Sequence, residues 1–234
     1  MVSYELFSEK TKMAELVISN PKLMLTLSRF GIDLGFGDHC VKEVCDKANV
    51  SSAFFLLICN LYTNSDYVPS CEELDSVDID TILSYLSVSH RYYVEERIPH
   101  IEHHLNRIIE ACPERFGKTL KRFFNEYKNE VANHFRYEEE TVFPYINSLC
   151  DDSAKKQFSI REFESNHSNI EDKLGDLMNI LIKYLPADIF PKERIEISFD
   201  IMDLSSDLNC HTLVEERVLV PFVELLERKC YENK

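Results

Sequence analysis

Six residues of metal-binding type fall in a regular pattern downstream of position 78: His90, His134, Glu138, His167, His211 and Glu215. Twice a histidine is followed four residues later by a glutamate, one helical turn along on the same face (His134–Glu138 and His211–Glu215). Leu120, Phe124, Tyr127 and Val131 lead into His134 in alternating steps of four and three residues, and Ile197, Ile201, Leu204 and Leu208 lead into His211 in the same steps. Such a stripe is the buried seam of an amphipathic helix, so each His–Glu pair continues a buried face. His90 similarly follows Ile79, Leu83 and Leu86, and His167 follows Ile160 and Phe163.

The pattern is repeated. His90 and His167, His134 and His211, Glu138 and Glu215, and Pro144 and Pro221 each stand 77 residues apart. The chain therefore reads as an internal duplication of a helical hairpin, with His on one helix and His-x3-Glu on the other. A single His-x3-Glu is ordinarily an exposed pair on a helix surface, and the fixed offset is what argues against that here. Two such hairpins packed about a pseudo-twofold bring four imidazoles and two carboxylates to one level. Burying those groups without a cation leaves charged carboxylates desolvated and ring nitrogens unpaired, whereas metal ions remove that penalty. Two imidazoles per metal, with two carboxylates spanning the pair, make a dinuclear site. Mixed nitrogen and oxygen ligation suits iron, with manganese and zinc as competitors. His100, His103 and His104 lie further along the His90 helix and read as a surface cluster. Glu171 is either an extra ligand or a solvated side chain, and Tyr93 either a hydrogen-bond donor near the site or a packing residue.

The elements that must position these groups are helical throughout. Five glycines and eight prolines among 234 residues are few, and helix formers dominate, so the class is all-α. Apolar periodicity predicts four long helices near 78–110, 117–149, 154–185 and 192–230, with Pro113, Pro186 and Pro191 between them. These define an antiparallel four-helix bundle over 78–234. Ahead of it, residues 1–64 read as a small helical domain, with a turn through Gly31, Gly35 and Gly37, and residues 65–77 as a linker.

With 26 basic and 41 acidic residues the formal charge is −15, which argues against nucleic-acid and anionic-membrane partners. The first residues have no basic stretch followed by an apolar one, so no signal peptide is expected. The longest apolar run, Ala53 to Cys59, is too short to span a bilayer. Eight scattered cysteines without a framework spacing read as reduced thiols in a cytoplasm.

The two motifs from His134 to Pro144 and from His211 to Pro221 resemble the paired HxxxE motifs of the hemerythrin HHE cation-binding domain, and His90 and His167 match its single-histidine positions. The stretch from Val17 to Asp33 resembles the small domain that precedes the bundle in the repair-of-iron-centres (RIC) family. The resemblance implies a cytoplasmic protein with a two-iron centre, oxo- or hydroxo-bridged, that responds to stress. It would restore iron–sulfur clusters damaged by nitric oxide or peroxide, as an iron donor more than as a conventional enzyme. The implied partners are NO or O2, iron–sulfur client proteins and a second copy of the chain. The RIC small domain carries a vicinal cysteine pair after its Gly-Ile-Asp turn, where this chain has Leu34, Gly35, Phe36 and Gly37, so its N-terminal domain is divergent. Oxygen-carrying hemerythrins add a histidine one turn from a single-histidine position, where this chain has Val94 and Glu171. The alternative function is an oxygen- or NO-binding or sensing module without turnover.

Overall fold

The computed structural model describes residues 6–149, 160, 163 and 170–232; among them the regular structure is all helical, beside one isolated antiparallel bridge from Lys12 to Cys40. No helix of the described residues is long and apolar enough to cross a membrane. The chain forms two compact units, residues 1–88 with 210–234, and residues 89–209.

The first unit begins with α1 (Met13–Ser19), α2 (Leu23–Arg29), α3 (Val41–Ala48), α4 (Ser52–Thr63) and α5 (Cys71–Asp75). Phe54, Phe55, Leu57, Ile58, Cys59 and Leu61 of α4 are all buried, so this helix is apolar on nearly every face and forms the centre of its surroundings. Phe30 packs edge-on to Phe54 and Phe55 and tilted on Tyr85, with ring centroids 5.1–5.7 Å apart. Beside this cluster the buried Arg29 guanidinium donates to the Tyr62 hydroxyl at 2.6 Å, which keeps a charged side chain hydrogen-bonded inside an apolar core. The expected glycine turn is present: Gly31, Gly35 and Gly37 have φ of 65°, 101° and 55°, a region that other residues enter at a steric cost. Ser70 and Glu73 cap α5 reciprocally, side chain to backbone in both directions.

The second unit takes over within α6 (Ile79–Arg91), which continues through a π-helical turn (Tyr92–Arg97) into α7 (Ile98–Ala111). There follow α8 (Glu114–Tyr137), a π turn (Glu138–Val142), α9 (Phe143–Leu149), α10 (Ile170–Asn179) with a π turn (Ile180–Tyr184), and α11 (Pro191–Val214), of which 191–209 lie in this unit. A last π turn (Glu215–Leu219) and α12 (Val220–Glu232) belong to the first unit.

The predicted seams form the core of the second unit: Leu120, Phe124, Tyr127 and Val131 of α8 pack with Ile197, Ile201, Leu204 and Leu208 of α11, together with Ile101 and Leu105 of α7 and Leu174 and Leu177 of α10. Each such buried side chain contributes about 1.5–3 kcal/mol relative to leaving it in water. Ion pairs establish direction. Arg97 meets Asp203 at 3.2 Å, His100 meets Asp200 at 3.4 Å and Arg107 meets Glu193 at 3.8 Å, so partners on α11 descend as those on the first helix ascend. These two helices are therefore antiparallel. So are α7 and α8, where Lys128 bonds Glu102 and a Cβ on Gly117 would stand 2.8 Å from the Ile109 carbonyl oxygen. Only glycine admits that approach.

The helical runs 79–111, 114–149 and 191–232 agree with three of the predicted long helices. The fourth, predicted over 154–185, is observed from 170 to 184; Ile160 and Phe163 are also helical and buried, and the remainder of 154–169 lies outside the described residues.

Candidate metal centre

In the second unit His90, His134 and Glu138 come together. Glu138 is fully buried, His90 is 2% exposed and the His134 side chain 10% exposed. The Glu138 carboxylate faces two imidazoles at once: Oε2 lies 3.0 Å from His90 Nε2, and Oε1 lies 2.9 Å from His134 Nε2. Among the described residues neither oxygen accepts a hydrogen bond of proper geometry, although both are shielded from water. A buried carboxylate so placed is costly unless a cation compensates it.

A cation held between the carboxylate and the rings would supply that compensation. The two contacts use different oxygens of Glu138, so one carboxylate offers one oxygen toward the His90 side and the other toward the His134 side.

In the first unit His211 and Glu215 form the matching pair, with His211 Nε2 3.1 Å from Glu215 Oε1 and both residues buried. His167 lies outside the described residues, as does the side chain of Glu171. His100, His103 and His104 make ring-to-ring contacts along α7, and the His100 side chain is 47% exposed, so they form a surface cluster as expected. Tyr93 is fully buried and stacks on Phe135 at 5.8 Å; His90 also stacks on that ring, at 4.2 Å. This aromatic column, with Phe143 also flanking His90 at 5.8 Å, fixes the plane of the imidazole.

Two features of the site were not read from the sequence. The first is Glu139, whose Oε1 lies 3.0 Å from His90 Nδ1 while Nε2 of the same ring faces Glu138. The hydrogen bond from His90 holds the Glu139 carboxyl below its ordinary range, against the opposing effect of partial burial. Its sequence signal was the doubled acid after His-x3, present in both copies as Glu138–Glu139 and Glu215–Glu216.

The second is the π turn that follows each described ligand segment. Ile98 N–H bonds the Tyr93 carbonyl, Phe143 N–H the Glu138 carbonyl and Val220 N–H the Glu215 carbonyl, five residues back instead of four. Pro99, Pro144 and Pro221 stand two residues past the respective π turns. Proline supplies no N–H, and its ring clashes with the carbonyl four residues back, so widening the turn lets the helix run on. In the second copy Arg217, within the π turn, donates to the carbonyls of Ser65 and Tyr67, the latter at 2.8 Å, and ties that turn to the segment before α5.

The chain matches the hemerythrin HHE cation-binding domain over residues 82–223, more than half its length, and it belongs to that family. Its helical bundle is the fold of that domain. The family is one of metal-cation binders, in keeping with the buried His–Glu groups. No curated protein matches the chain in a direct comparison of sequences.

Proposed function

We propose that the protein is a non-haem di-iron protein in which His90, His134, Glu138, His167, His211 and Glu215 hold two iron ions, and that it returns iron to iron–sulfur clusters damaged by nitric oxide or peroxide. The observation that carries the metal reading is Glu138: a fully buried carboxylate with a different imidazole nitrogen 3.0 Å and 2.9 Å from its two oxygens. The 77-residue repeat supports assigning Glu215 the same role with His211, and His167 the role of His90. When bound, the ions would supply redox chemistry and coordination of small ligands such as NO or O2. The residues of the chain would hold the ions, keep them dry and set how readily they leave.

The repair reading rests on the resemblance of residues 17–33 to the RIC small domain and extends to iron–sulfur client proteins, a homodimer and a cytoplasmic setting. The domain division at 1–64, 65–77 and 78–234 belongs to the same proposal. A second reading, reversible NO or O2 binding without turnover, uses the same centre.

The deciding experiment begins with metal analysis and an optical spectrum of protein from iron-supplemented cells. It is followed by incubation of the iron-loaded protein with an NO-damaged iron–sulfur enzyme. Near two irons per chain and recovery of the damaged enzyme are expected. Iron present with no recovery, but stoichiometric NO binding, would move the assignment to the sensing module. Zinc or no metal after iron loading would defeat the di-iron centre itself.

A further inference from the structure

We propose that Glu139 is the positioning residue of His90 and the latch on a solvent-facing port through which metal enters and leaves; the inference rests on reading His90 and Glu138 as ligands. His90 is almost wholly buried, yet it lines a hollow of about 300 Å³ with Arg91, Glu95, Arg136, Glu139 and Glu140. Within this second unit Glu139 lines the same hollow and meets the imidazole edge that carries Nδ1, with its carboxylate 3.0 Å from that nitrogen and its side chain 44% exposed. One end of the residue is thus in water and the other on a ligand.

The chemistry follows from the two ring nitrogens. A carboxylate accepting from Nδ1–H fixes the tautomer in which Nε2 carries the lone pair, and it raises the basicity of that nitrogen. Nε2 is the atom that faces Glu138. Phe135 and Phe143 restrain the plane of the ring, but flat stacking accepts both orientations related by a half-turn flip about Cβ–Cγ, and the Glu139 bond selects the one observed. When the Glu139 side chain swings into solvent, His90 loses its orientation and the hollow opens on the ligand. Ion exchange then has a path that needs no helix to move.

The repeat argues that the port is built on the His90 side. Glu216 keeps the position of Glu139, but Leu213 and Arg217 stand where the hollow has Arg136 and Glu140, and Arg217 is bound to two backbone carbonyls. Arg91 and Glu95 correspond to Ser168 and Asp172, so the copy keeps acids at two of the five positions but loses both arginines and reverses the charge at Glu140: the charge pattern of the lining was not duplicated along with the ligands.

The test uses the full iron-loaded chain and a ferrous chelator in excess, comparing wild type with Glu139→Ala, Glu139→Gln and the surface control Glu126→Ala. Release from Glu139→Ala is expected to be about tenfold faster or more, the usual effect of removing a carboxylate behind a metal-bound histidine. Glu139→Gln, which keeps an oxygen acceptor, should restore most of the wild-type rate, and Glu126→Ala should match wild type. A second readout needs no metal: ring 15N shifts of His90 in the metal-free chain should report Nδ1–H in wild type. That signature should be lost in Glu139→Ala. Iron release from Glu139→Ala at the wild-type rate, or a wild-type His90 without Nδ1–H, overturns the latch while leaving the centre standing. A wild-type chain that takes up no iron overturns the centre and the latch together.

Discussion

Glu138 distinguishes a metal ligand from a structural residue because the two roles predict opposite effects of one substitution. Its oxygens are buried and, among the described residues, accept no well-formed hydrogen bond, so a ligand role predicts that its charge costs stability in the metal-free chain. Glu138→Gln keeps the shape and removes the charge. Metal content should fall to one iron per chain or below, while the metal-free variant melts at or above wild type by up to about 1–3 kcal/mol. Atomic absorption and a thermal melt after chelation check both. A structural carboxylate would give the reverse, with metal retained and the melt lowered. The meeting of His90, His134 and Glu138 was legible because histidine and glutamate fell on the three-and-four rhythm of a buried seam. Glu139 was not legible, because it sits one position off that seam and its role depends on which way the His90 ring is turned.

At the scale of the helix, the seam was legible up to each candidate ligand and lost directly after it. From Tyr93 the next buried apolar position is Ile98, a step of five that no straight α-helix makes. Glu138, Val142 and Ile146, and likewise Glu215, Leu219 and Val223, are buried at successive steps of four. In an ideal α-helix each such step drifts about 40° around the axis. The π turns absorb this drift, and the prolines that mark them were read only as part of the repeat. Pro144→Ala tests the account. It restores an N–H and removes the clash with the Glu140 carbonyl, so the turn is expected to close toward α-helical bonding. A helix-interior proline costs about 3 kcal/mol in an unadapted helix. A gain of about 1 kcal/mol or less is expected here, because the wide turn already relieves part of that cost. Iron retention is expected to drop, since the carbonyl bonded by Phe143 N–H is that of Glu138 itself. A variant that is destabilised and keeps full iron would refute the link between the turn and the site.

For the molecule as a whole, the six described cysteines form no disulfide with one another, and they differ sharply in surroundings. Burial pushes the Cys45 thiol from its ordinary 9.0 up to about 12 and raises Cys59 well above its ordinary value, whereas Cys71 is exposed. A thiol raised on folding ionises first in the unfolded chain. Its contribution to stability is therefore complete below about pH 9 and is lost as pH climbs toward 12. Alkaline unfolding should begin near pH 9. At pH 8, alkylation followed by mass spectrometry should modify Cys71 in the native protein and spare Cys45 and Cys59 until denaturant is added. Native labelling of Cys59 at the Cys71 rate would contradict this packing. The helical class and the glycine turn were legible at this scale, since they follow from composition and local steric rules. The grouping of residues 210–234 with 1–88 was not, because contacts such as Arg217 on Tyr67 join positions 150 residues apart, to which periodicity is blind.

The wide turn after Glu138 also bears on heredity. A π turn is an ordinary helix carrying one residue too many, so losing a single codon between Glu139 and Val142 would leave both flanking stripes facing as they do now. Deletions are usually tolerated in loops and rejected in helices. In this chain the middle of a long helix would accept one and remain folded once Pro144 is replaced as well, because the narrowed turn would return that ring to its clash with the carbonyl four residues back.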